Sequence, residues 1–338
     1  MMFLTPKAAR TLIHGALTGA GTSKANAGYF TDAILDTELS GLEGHGFYWL
    51  QFYCEHVKSG KVDGRAKPFV KTLSPVSFMV DAKRGFAHPA IEAGFKRLIP
   101  AAQKFGIAAL AISKSYNAAT LGYHTGVLAK QGLVAFGFTN SVPAIAPVGG
   151  KTPVIGTNPM SFAVPGARGK IGFLIDQSSS QVAWTAVKRA ADRGAAIPLG
   201  WALDQAGQPT TDPGLGLLGS MVPAGGPKGF GQGLIVETMC AALAASLRGP
   251  QMGSFVENDG RPIGCGQFFI AISPKLFAPG TFARQVKALE KSITAQEGAR
   301  MPNSRRTANQ KRLAKEGLPI ERALHERLAS FAKQSHEP

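Results

Sequence analysis

Cysteine is scarce in this chain: its 338 residues include three, at Cys54, Cys240 and Cys265. They lie far apart, and none belongs to a Cys-x-x-Cys pair or to a Cys/His spacing of the kind that holds zinc. Three widely separated cysteines also give no disulfide framework of the sort that small secreted domains use. The sequence therefore predicts no metal site and a protein of the reducing cytoplasm.

Long apolar runs are absent as well. No stretch approaches the roughly 18 consecutive apolar residues of a transmembrane helix. Residues 1–25 contain no apolar segment followed by a cleavage site, which a secretion signal would have. A mean hydropathy of +0.02 and a hydrophobic share of 44% are those of an ordinary globular protein. We expect a soluble chain, long enough for two domains, with no membrane partner.

Acidic residues are few: 21 aspartates and glutamates oppose 37 lysines and arginines, which gives a net charge of +16. The basic residues are scattered, except in a C-terminal arm over residues 297–326 where glutamates are interleaved, as on a solvated helix face. No helix-turn-helix, zinc-finger or RNA-binding signature accompanies them. We expect the positive field to attract a small anionic substrate, and nucleic acid is not the expected partner.

Periodicity predicts helices in the first 60 and last 50 residues, with short strands and further helices between them. Thr5 before Pro6, and Ser23, predict the starts of the first two helices. Ser59-Gly60 predicts the end of the third. Residues 228–247 predict another helix, and its expected buried side is Leu234, Ile235, Met239, Ala242 and Leu243. The predicted strands are residues 76–80, 107–112, 133–138, 171–175 and 268–272.

Residues 132–166 combine an apolar strand with a segment rich in glycine and proline. Segments so rich in fixed turns run over protein surfaces, where binding residues often lie. This one is apolar as well, which is also compatible with a buried connector between strands. Both interpretations remain open on the local residues alone.

His45 is the histidine best placed for chemistry, because Gly44 and Gly46 flank it. Small neighbours leave the ring uncrowded, and an ordinary pKa near 6.5 suits proton transfer at neutral pH. The alternative is a histidine in a surface turn. Asp176 ends an apolar strand and enters Gln177-Ser178-Ser179-Ser180. It is either a site residue at the mouth of a strand or the start of a local Asx turn.

Gly225-Gly-Pro-Lys-Gly229 stands directly before an apolar helix. Glycines allow a ligand to approach the backbone, and a helix N-terminus presents free N–H groups with partial positive charge. Lys228 adds a full charge. The segment is therefore either a cradle for an anion or a simple glycine-rich entry into a helix.

Taken together, these segments resemble the type-2 malate/L-lactate dehydrogenase family, and the resemblance covers nearly the whole chain. The family also contains sulfolactate and ureidoglycolate dehydrogenases and reductases of Δ1-pyrroline-2-carboxylate and Δ1-piperideine-2-carboxylate. The matching motifs are His45-Gly46, Ser59-Gly-Lys-Val-Asp63, Thr139-Asn-Ser141 with Ala146-Pro147, Gly156-Thr-Asn-Pro159, Asp176-Gln-Ser178, Gly200-Trp-Ala-Leu-Asp204, Pro209-Thr-Thr-Asp-Pro213, Gly225-Gly-Pro-Lys-Gly229 and Arg300-Met-Pro302.

The resemblance implies an α/β fold that is not of the Rossmann type. It implies an NAD(P)-binding domain with a largely antiparallel sheet over residues 113–285. It also implies a helix-rich α/β domain over residues 1–112 and 286–338 that carries the catalytic histidine. Members of the family are typically homodimers.

The resemblance also assigns roles to residues. His45 takes the position of the proton donor, with Asp176 as its acidic partner, and Thr157 falls in a turn at the substrate site. The basic side chains near residues 300–306 favour NADP over NAD, since arginine pairs well with phosphate. The cofactor segments are Asn117, Ala118, Ala119, Thr120 and Leu121; Gln177 and Ser178; Pro227 and Lys228; and Arg300, Pro302, Asn303 and Ser304.

Three residues depart from the family pattern. Gly44 stands where a serine is frequent, and Asn117 replaces a histidine. Trp49 takes the place of the arginine that usually binds the substrate carboxylate, a bidentate contact that tryptophan cannot make. Lys114 is the expected replacement cation.

The resemblance therefore implies an NAD(P)H-dependent oxidoreductase. It would transfer hydride between nicotinamide and C2 of a 2-oxo or 2-hydroxy acid such as malate, lactate or sulfolactate. Two alternatives remain: a reductase of a cyclic imino acid, and a nucleotide-binding relative without catalysis, which the departures motivate.

Overall fold

The computed structural model describes residues 1–333. The N-terminal part is helical, and its predicted caps are confirmed. The Thr5 side chain accepts a hydrogen bond from the Ala8 amide, and that of Ser23 accepts one from the Asn26 amide. The third helix ends before Ser59, as predicted. The elements up to the first long strand are β1 (Met2–Leu4), α1 (Pro6–Gly19), α2 (Lys24–Leu39), α3 (Phe47–Lys58), β2 (Phe69–Ser74), β3 (Ser77–Asp81), α4 (Ala87–Phe105) and β4 (Ile107–Ser115).

The middle of the chain alternates strands with shorter helices. All five predicted strands are present to within a few residues. The elements are α5 (Leu121–Lys130), β5 (Val134–Thr139), β6 (Met160–Pro165), β7 (Ile171–Gln177), α6 (Trp184–Asp192), β8 (Ala202–Leu203), β9 (Pro209–Thr210), α7 (Pro213–Leu218), β10 (Ser220–Met221), α8 (Pro227–Glu237) and β11 (Cys265–Ile272).

The C-terminal part returns to helix. Its elements are α9 (Pro274–Phe277), α10 (Phe282–Thr294), α11 (Ser304–Glu316), β12 (Leu318–Ile320) and α12 (Arg322–Lys333). Strand β12 pairs with β1, and Leu328 and Phe331 of α12 share a core with Ile13 and Leu17 of α1. Since both ends of the chain contribute to one core, the N- and C-terminal segments pack as a unit.

A seven-stranded sheet has the order β2-β3-β4-β11-β5-β6-β7. Neighbouring strands are antiparallel except β3 and β4, which run parallel. Helices α4 and α5 cover one face, where Leu98, Leu110 and Phe269 are fully buried. The predicted α/β class is therefore confirmed.

The expected domain boundaries fall inside elements of this structure. Residues 112 and 113 both belong to β4, and residues 285 and 286 both belong to α10. Strands β2 and β3, assigned by sequence to the helix-rich part, join the same sheet as β11. Strand pairing, which periodicity does not reveal, makes the sheet continuous. Residues 334–338 of the expected second segment lie outside the described residues.

The predicted buried side of the helix over residues 228–247 is wrong except at Met239, which is partly buried. Leu234, Ile235 and Leu243 are 45%, 57% and 55% exposed, and Ala242 is also exposed. The inward positions of α8 are glycine and valine, because Gly229 and Gly233 let the helix backbone approach the segment around Ser179. Because the backbones pack closely, the face of α8 that carries glycine is buried, and its large side chains point outwards.

The segment over residues 132–166 includes β5, β6 and the connector between them. Ile145 and Ile155 are buried and bridge to each other, while Val148 is 60% exposed.

Among residues 1–333, no helix combines the length and apolarity that a bilayer span needs. Nor does that part of the chain contain a group of three or more potential metal ligands.

Candidate active site

His45 lies in the turn that connects α2 to α3. Its amide donates to the Leu42 carbonyl, and its side chain is partly buried. Beneath the turn, Glu38 at the end of α2 accepts a hydrogen bond of 2.5 Å from the amide of Phe47, the first residue of α3. The carboxyl group thereby takes the place of a side-chain cap, which Gly46 cannot provide.

The structure explains the glycines beside His45 differently from the sequence, which suggested that they leave room for a ligand at the ring. A Cβ atom at Gly46 would overlap with the Glu38 carboxyl group. A Cβ atom at Gly44 would lie 3.0 Å from the hydroxyl oxygen of Thr185. Both glycines therefore make room for protein side chains from α2 and α6.

Asp176 stands near the end of β7, where its carboxylate is held by groups that are distant in sequence. Oδ2 accepts a hydrogen bond of 3.0 Å from the Gly122 amide, in the first turn of α5. It also pairs with Arg306 Nη1 of α11 at 3.1 Å. The interpretation as a local Asx turn is therefore wrong. A helix N-terminus and a guanidinium group both stabilise the anion.

The charges of Asp176 and Arg306 act on His45. Burial lowers the pKa of the His45 imidazole below 6.5, the negative charge of Asp176 opposes this, and the positive charge of Arg306 reinforces it. The free protein therefore holds His45 mainly neutral at pH 7. Within residues 1–333 the ring makes no hydrogen bond, so both nitrogens are available to a ligand.

The loop from Asn117 to Leu121 joins β4 to α5 and lies beside Asp176. Asn117 Oδ1 accepts from the Ala119 amide at 2.5 Å, and Ala119 adopts a φ of 52°. The Thr120 hydroxyl is hydrogen-bonded to that of Thr37 on α2 at 2.6 Å. Ala118 and Leu121 are buried. The loop predicted to line a nucleotide is thus anchored on one side to α2 and on the other, through α5, to Asp176.

The turn that contains Thr157 meets the loop that follows Asp176. The amide of Ser179 donates to the Thr157 carbonyl at 2.7 Å, and the Ser179 hydroxyl donates to the Asn158 carbonyl at 3.0 Å. Asn158 also accepts from the Ser141 amide and donates to Glu237 of α8. Four segments that the sequence singled out separately therefore converge here.

Pro227 and Lys228 open α8 next to the same loop. Gly225 and Gly226 have φ values of 65° and 63°, and no side chain caps the helix. The Ala224 amide donates to the Ser179 carbonyl at 2.9 Å. A further contact links the loop to the helix, because Gln177 Nε2 donates to Gln232 at 3.4 Å. The Lys228 side chain is exposed, and Ser178 is bonded within its own loop.

The segment from Arg300 to Ser304 leads into α11. Asn303 has a φ of 72° and precedes the helix, while Arg300, Pro302 and Ser304 are exposed. Arg306, two residues further, is the member of this arm that reaches Asp176. The sequence showed Arg306 only as part of a basic arm, and no local pattern distinguished it from Arg305.

The two residues considered for the substrate carboxylate lie in different surroundings. Trp49 is 6% exposed and packs in an aromatic cluster, with its ring centroid 6.4 Å from that of Trp184. Lys114 pairs with Asp81 of β3 at 2.9 Å. No contact within residues 1–333 links Lys114 to the His45 turn, so its assignment remains a sequence-based prediction.

Helix α6 covers the His45 turn, which the sequence did not indicate. Arg189 Nη2 pairs with Glu43 at 3.1 Å, and the Tyr48 hydroxyl donates to Asp192 at 3.0 Å. These contacts join the C-terminal half of α6 to residues on both sides of His45. The charge pattern of α6 gave no signal, since its partners lie more than 140 residues away.

Comparison with known proteins gives one consistent family. The malate/L-lactate dehydrogenase family matches residues 4–329. The chain is 40% identical to a (2R)-3-sulfolactate dehydrogenase (NADP(+)) of Chromohalobacter salexigens, over 96% of both chains. It is 35% identical to a Δ1-pyrroline-2-carboxylate reductase of Ancylobacter novellus, over 95% of this chain and 94% of that one.

A solved structure agrees with the sequence comparisons. The Δ1-piperideine-2-carboxylate reductase of Pseudomonas syringae superposes with a TM-score of 0.91 at 31% identity, covering 98% of this chain and all of that one. The interpretation as a dehydrogenase or reductase is therefore confirmed, and the alternative of a relative without catalysis is not favoured. The chain belongs to the malate/L-lactate dehydrogenase family.

Proposed function

We propose that the protein transfers hydride between NADPH and C2 of a 2-oxo acid, or in reverse from the 2-hydroxy acid to NADP, with His45 as the proton donor and acceptor. The observation that carries the proposal is the pairing of Asp176 with Arg306 next to His45, where the predicted cofactor segments meet. The NADP-dependent sulfolactate dehydrogenase, at 40% identity, supports both the reaction and the cofactor.

The N-terminus of α8 fits a phosphate group of the dinucleotide. Its backbone N–H groups have no side-chain cap, and a Cβ atom at Gly226 would have no neighbour within 4 Å, so the approach is open. Lys228 and Arg300 are exposed cations for the phosphates, and Arg300 is suited to the 2′-phosphate of NADP.

The cofactor-binding part is proposed to be non-Rossmann. A Rossmann unit needs parallel strands linked by crossover helices, with the pyrophosphate at the first of them. In residues 1–333, the seven-stranded sheet has one parallel pair, β3–β4, and the candidate phosphate site opens α8 instead. We propose that residues 113–285 carry most cofactor contacts and that the remaining segments carry His45.

The residues around His45 have distinct parts in the chemistry. When bound, the reduced nicotinamide supplies a hydride from its ring. His45 donates a proton to the oxygen that becomes a hydroxyl group, and accepts it in the reverse direction. Asp176 stabilises the imidazolium by its charge, and Arg306 fixes the Asp176 carboxylate. Because burial favours the neutral imidazole, the free protein is poised for the oxidation direction at pH 7.

A cyclic imino acid is the second candidate substrate. Trp49 stands where the family usually has an arginine. It is buried, and the partly buried Trp184 lies beside it with ring centroids 6.4 Å apart. An aromatic surface of this kind suits the methylene groups of a ring. Two of the relatives compared above are named as reductases of such substrates. In this case His45 would donate its proton to the amine nitrogen, and Thr157 remains a proposed substrate contact in both cases.

We propose a homodimer built on two exposed apolar surfaces. One is the outer face of α8 and of the π-helical stretch Thr238–Leu243 that follows it, defined by Leu234, Ile235 and Leu243. The other is α10, which has no buried residue among Phe282–Thr294. Its apolar side chains recur at helical spacing, namely Phe282, Val286, Leu289 and Ile293. Apolar patches of this kind mark protein interfaces, and a second copy supplies both surfaces at once.

A cytoplasmic location is proposed from the cysteines. Cys54, Cys240 and Cys265 are all unpaired and buried. Burial raises the pKa of each thiol, so none is an activated nucleophile.

The first test is the His45→Ala variant. We expect it to lose turnover of 2-oxo acids by about a hundredfold or more, the usual range for a general acid, while still binding NADPH, as measured by the change in NADPH fluorescence. His325→Ala, on the partly exposed face of α12, is the matched control and retains activity. Unchanged turnover in the His45 variant would exclude the proposed role.

A further inference from the structure

The absence of a side chain at Gly44 is explained by a side chain from another element. Gly44 does not adopt a positive φ, so its backbone conformation does not require glycine. The space is what crowds another residue, since a Cβ atom there would lie 3.0 Å from Thr185 Oγ1 and 3.5 Å from Thr185 Cβ. Thr185 therefore borders the space that a side chain at residue 44 would enter, and its hydroxyl oxygen is the atom nearest to that Cβ position.

Thr185 is fixed in this position. It is the second residue of α6, and the ion pair of Glu43 with Arg189 and the bond from Tyr48 to Asp192 join α6 to the His45 turn on both sides of Gly44. The contact between Thr185 and Gly44 therefore follows from the packing of α6 on the turn.

The Thr185 hydroxyl has no protein partner. The residue is 7% exposed, yet its oxygen forms no hydrogen bond within residues 1–333. Its oxygen is not among the fully enclosed unsatisfied atoms of the described chain, so it keeps some accessible surface beside the His45 turn.

We propose that Thr185 is a specificity-determining residue that presents its hydroxyl to the substrate beside His45, in the volume that a side chain at residue 44 would otherwise fill. The inference rests on the proposed function and extends it to a residue of α6. The substrate carries a carboxylate and a reacting oxygen or nitrogen, each able to pair with a hydroxyl group. With Trp184 of the same turn, Thr185 makes the start of α6 one wall of the substrate site.

A pair of exchanges tests the proposal. The wild type and the variants Thr185→Val, Thr185→Ser, Gly44→Ser and Gly44→Ser/Thr185→Gly are assayed with NADPH against a panel of 2-oxo acids and one cyclic imino acid. Thr185→Val keeps the shape and removes the hydroxyl, and we expect kcat/KM to fall by about fivefold to tenfold. Thr185→Ser keeps the hydroxyl and should remain within about threefold of the wild type.

The stronger test moves the hydroxyl group from residue 185 to residue 44. Gly44→Ser alone should lose activity, because the new side chain crowds Thr185. The double variant removes that conflict and returns a hydroxyl from the opposite wall, so its kcat/KM should exceed that of Gly44→Ser. The NADPH dissociation constant should be unchanged in Thr185→Val, which a merely structural role would alter. Thr294→Val, on the exposed face of α10, is the control for the same chemical change.

The outcomes separate the inference from the proposed function. Thr185→Val equal to the wild type on every substrate would overturn the inference alone, and so would a double variant no better than Gly44→Ser. A wild type that binds NADPH but converts no member of the panel would overturn the proposed function and the inference with it.

Discussion

At the scale of single residues, the chemistry is concentrated in three side chains from three distant segments. His45 stands between two helices, Asp176 near the end of a strand, and Arg306 in the first turn of α11. The two charges act on the imidazole in opposite directions. Because Arg306 is itself paired with Asp176, removal of the carboxylate leaves an uncompensated positive charge near the ring.

The pH dependence of the reaction tests this arrangement. In Asp176→Asn, the ring loses the charge that raises its pKa and keeps the one that lowers it, so the midpoint of kcat/KM for reduction should move to lower pH by about one unit. The profile is measured for the free protein with a 2-oxo acid and NADPH. Asp32→Asn, an exposed partner of Arg10, should leave the midpoint in place. A midpoint that stays or rises in Asp176→Asn would contradict the assigned electrostatics.

At the scale of elements, the junction of α2 and α3 positions the catalytic turn. The Glu38 carboxyl group accepts a hydrogen bond from the first amide of α3, and Glu38 is 3% exposed. Burial raises its pKa from 4.5 to about 8, an effect that the Phe47 amide and Arg189 oppose and Glu43 reinforces. The carboxyl group is therefore neutral over much of the physiological range.

The proton on Glu38 makes stability depend on pH. Between pH 4.5 and about pH 8 the native protein keeps a proton that the unfolded chain has released. Stability therefore falls as pH rises through this window, by up to about 1.4 kcal/mol per pH unit. In Glu38→Gln the amide oxygen still accepts from Phe47, but no proton is exchanged. We expect the melting temperature of the variant to change less with pH than that of the wild type.

Thermal unfolding at both ends of the window measures the effect. Glu290→Gln, on the exposed face of α10, should follow the wild type. Parallel curves for the wild type and Glu38→Gln would show that Glu38 titrates normally.

At the scale of the whole molecule, the described chain leaves two apolar surfaces open. The outer face of α8 exists because Gly229 and Gly233 bring the helix in by its small side. Helix α10 buries none of its residues, although its apolar positions recur at helical spacing. An amphipathic helix that fully buries none of its apolar positions is expected to have a partner.

The variant Leu289→Glu tests the proposed dimer. Leu289 is 52% exposed in the single chain and would be buried in the interface. By symmetry the dimer would lose two leucines, together about 3 kcal/mol or more, and would gain two buried charges. We expect a monomer by light scattering at concentrations where the wild type is dimeric. Leu199→Glu, at a 68% exposed position outside both surfaces, is the control, and a dimeric Leu289 variant would exclude α10 from the interface.

Local residue patterns were sufficient to predict much of this protein. Thr5, Pro6 and Ser23 start helices because their caps are formed by residues close in sequence. Short apolar runs between turn residues predicted the strands, because strand formation also depends on neighbouring residues. Ordered motifs along the chain identified the family. These features depend on neighbours a few residues apart, which the sequence displays directly.

Contacts between distant residues were decided only by the tertiary structure. Arg306 pairs with Asp176, which is 130 residues away in sequence. Thr185 of α6 packs beside Gly44, and Lys114 pairs with Asp81. The face that α8 buries depended on how closely two backbones could approach, which no periodicity encodes. Sequence separation hides such pairs because each partner has an ordinary local pattern, and only the folded chain brings their charges and volumes together.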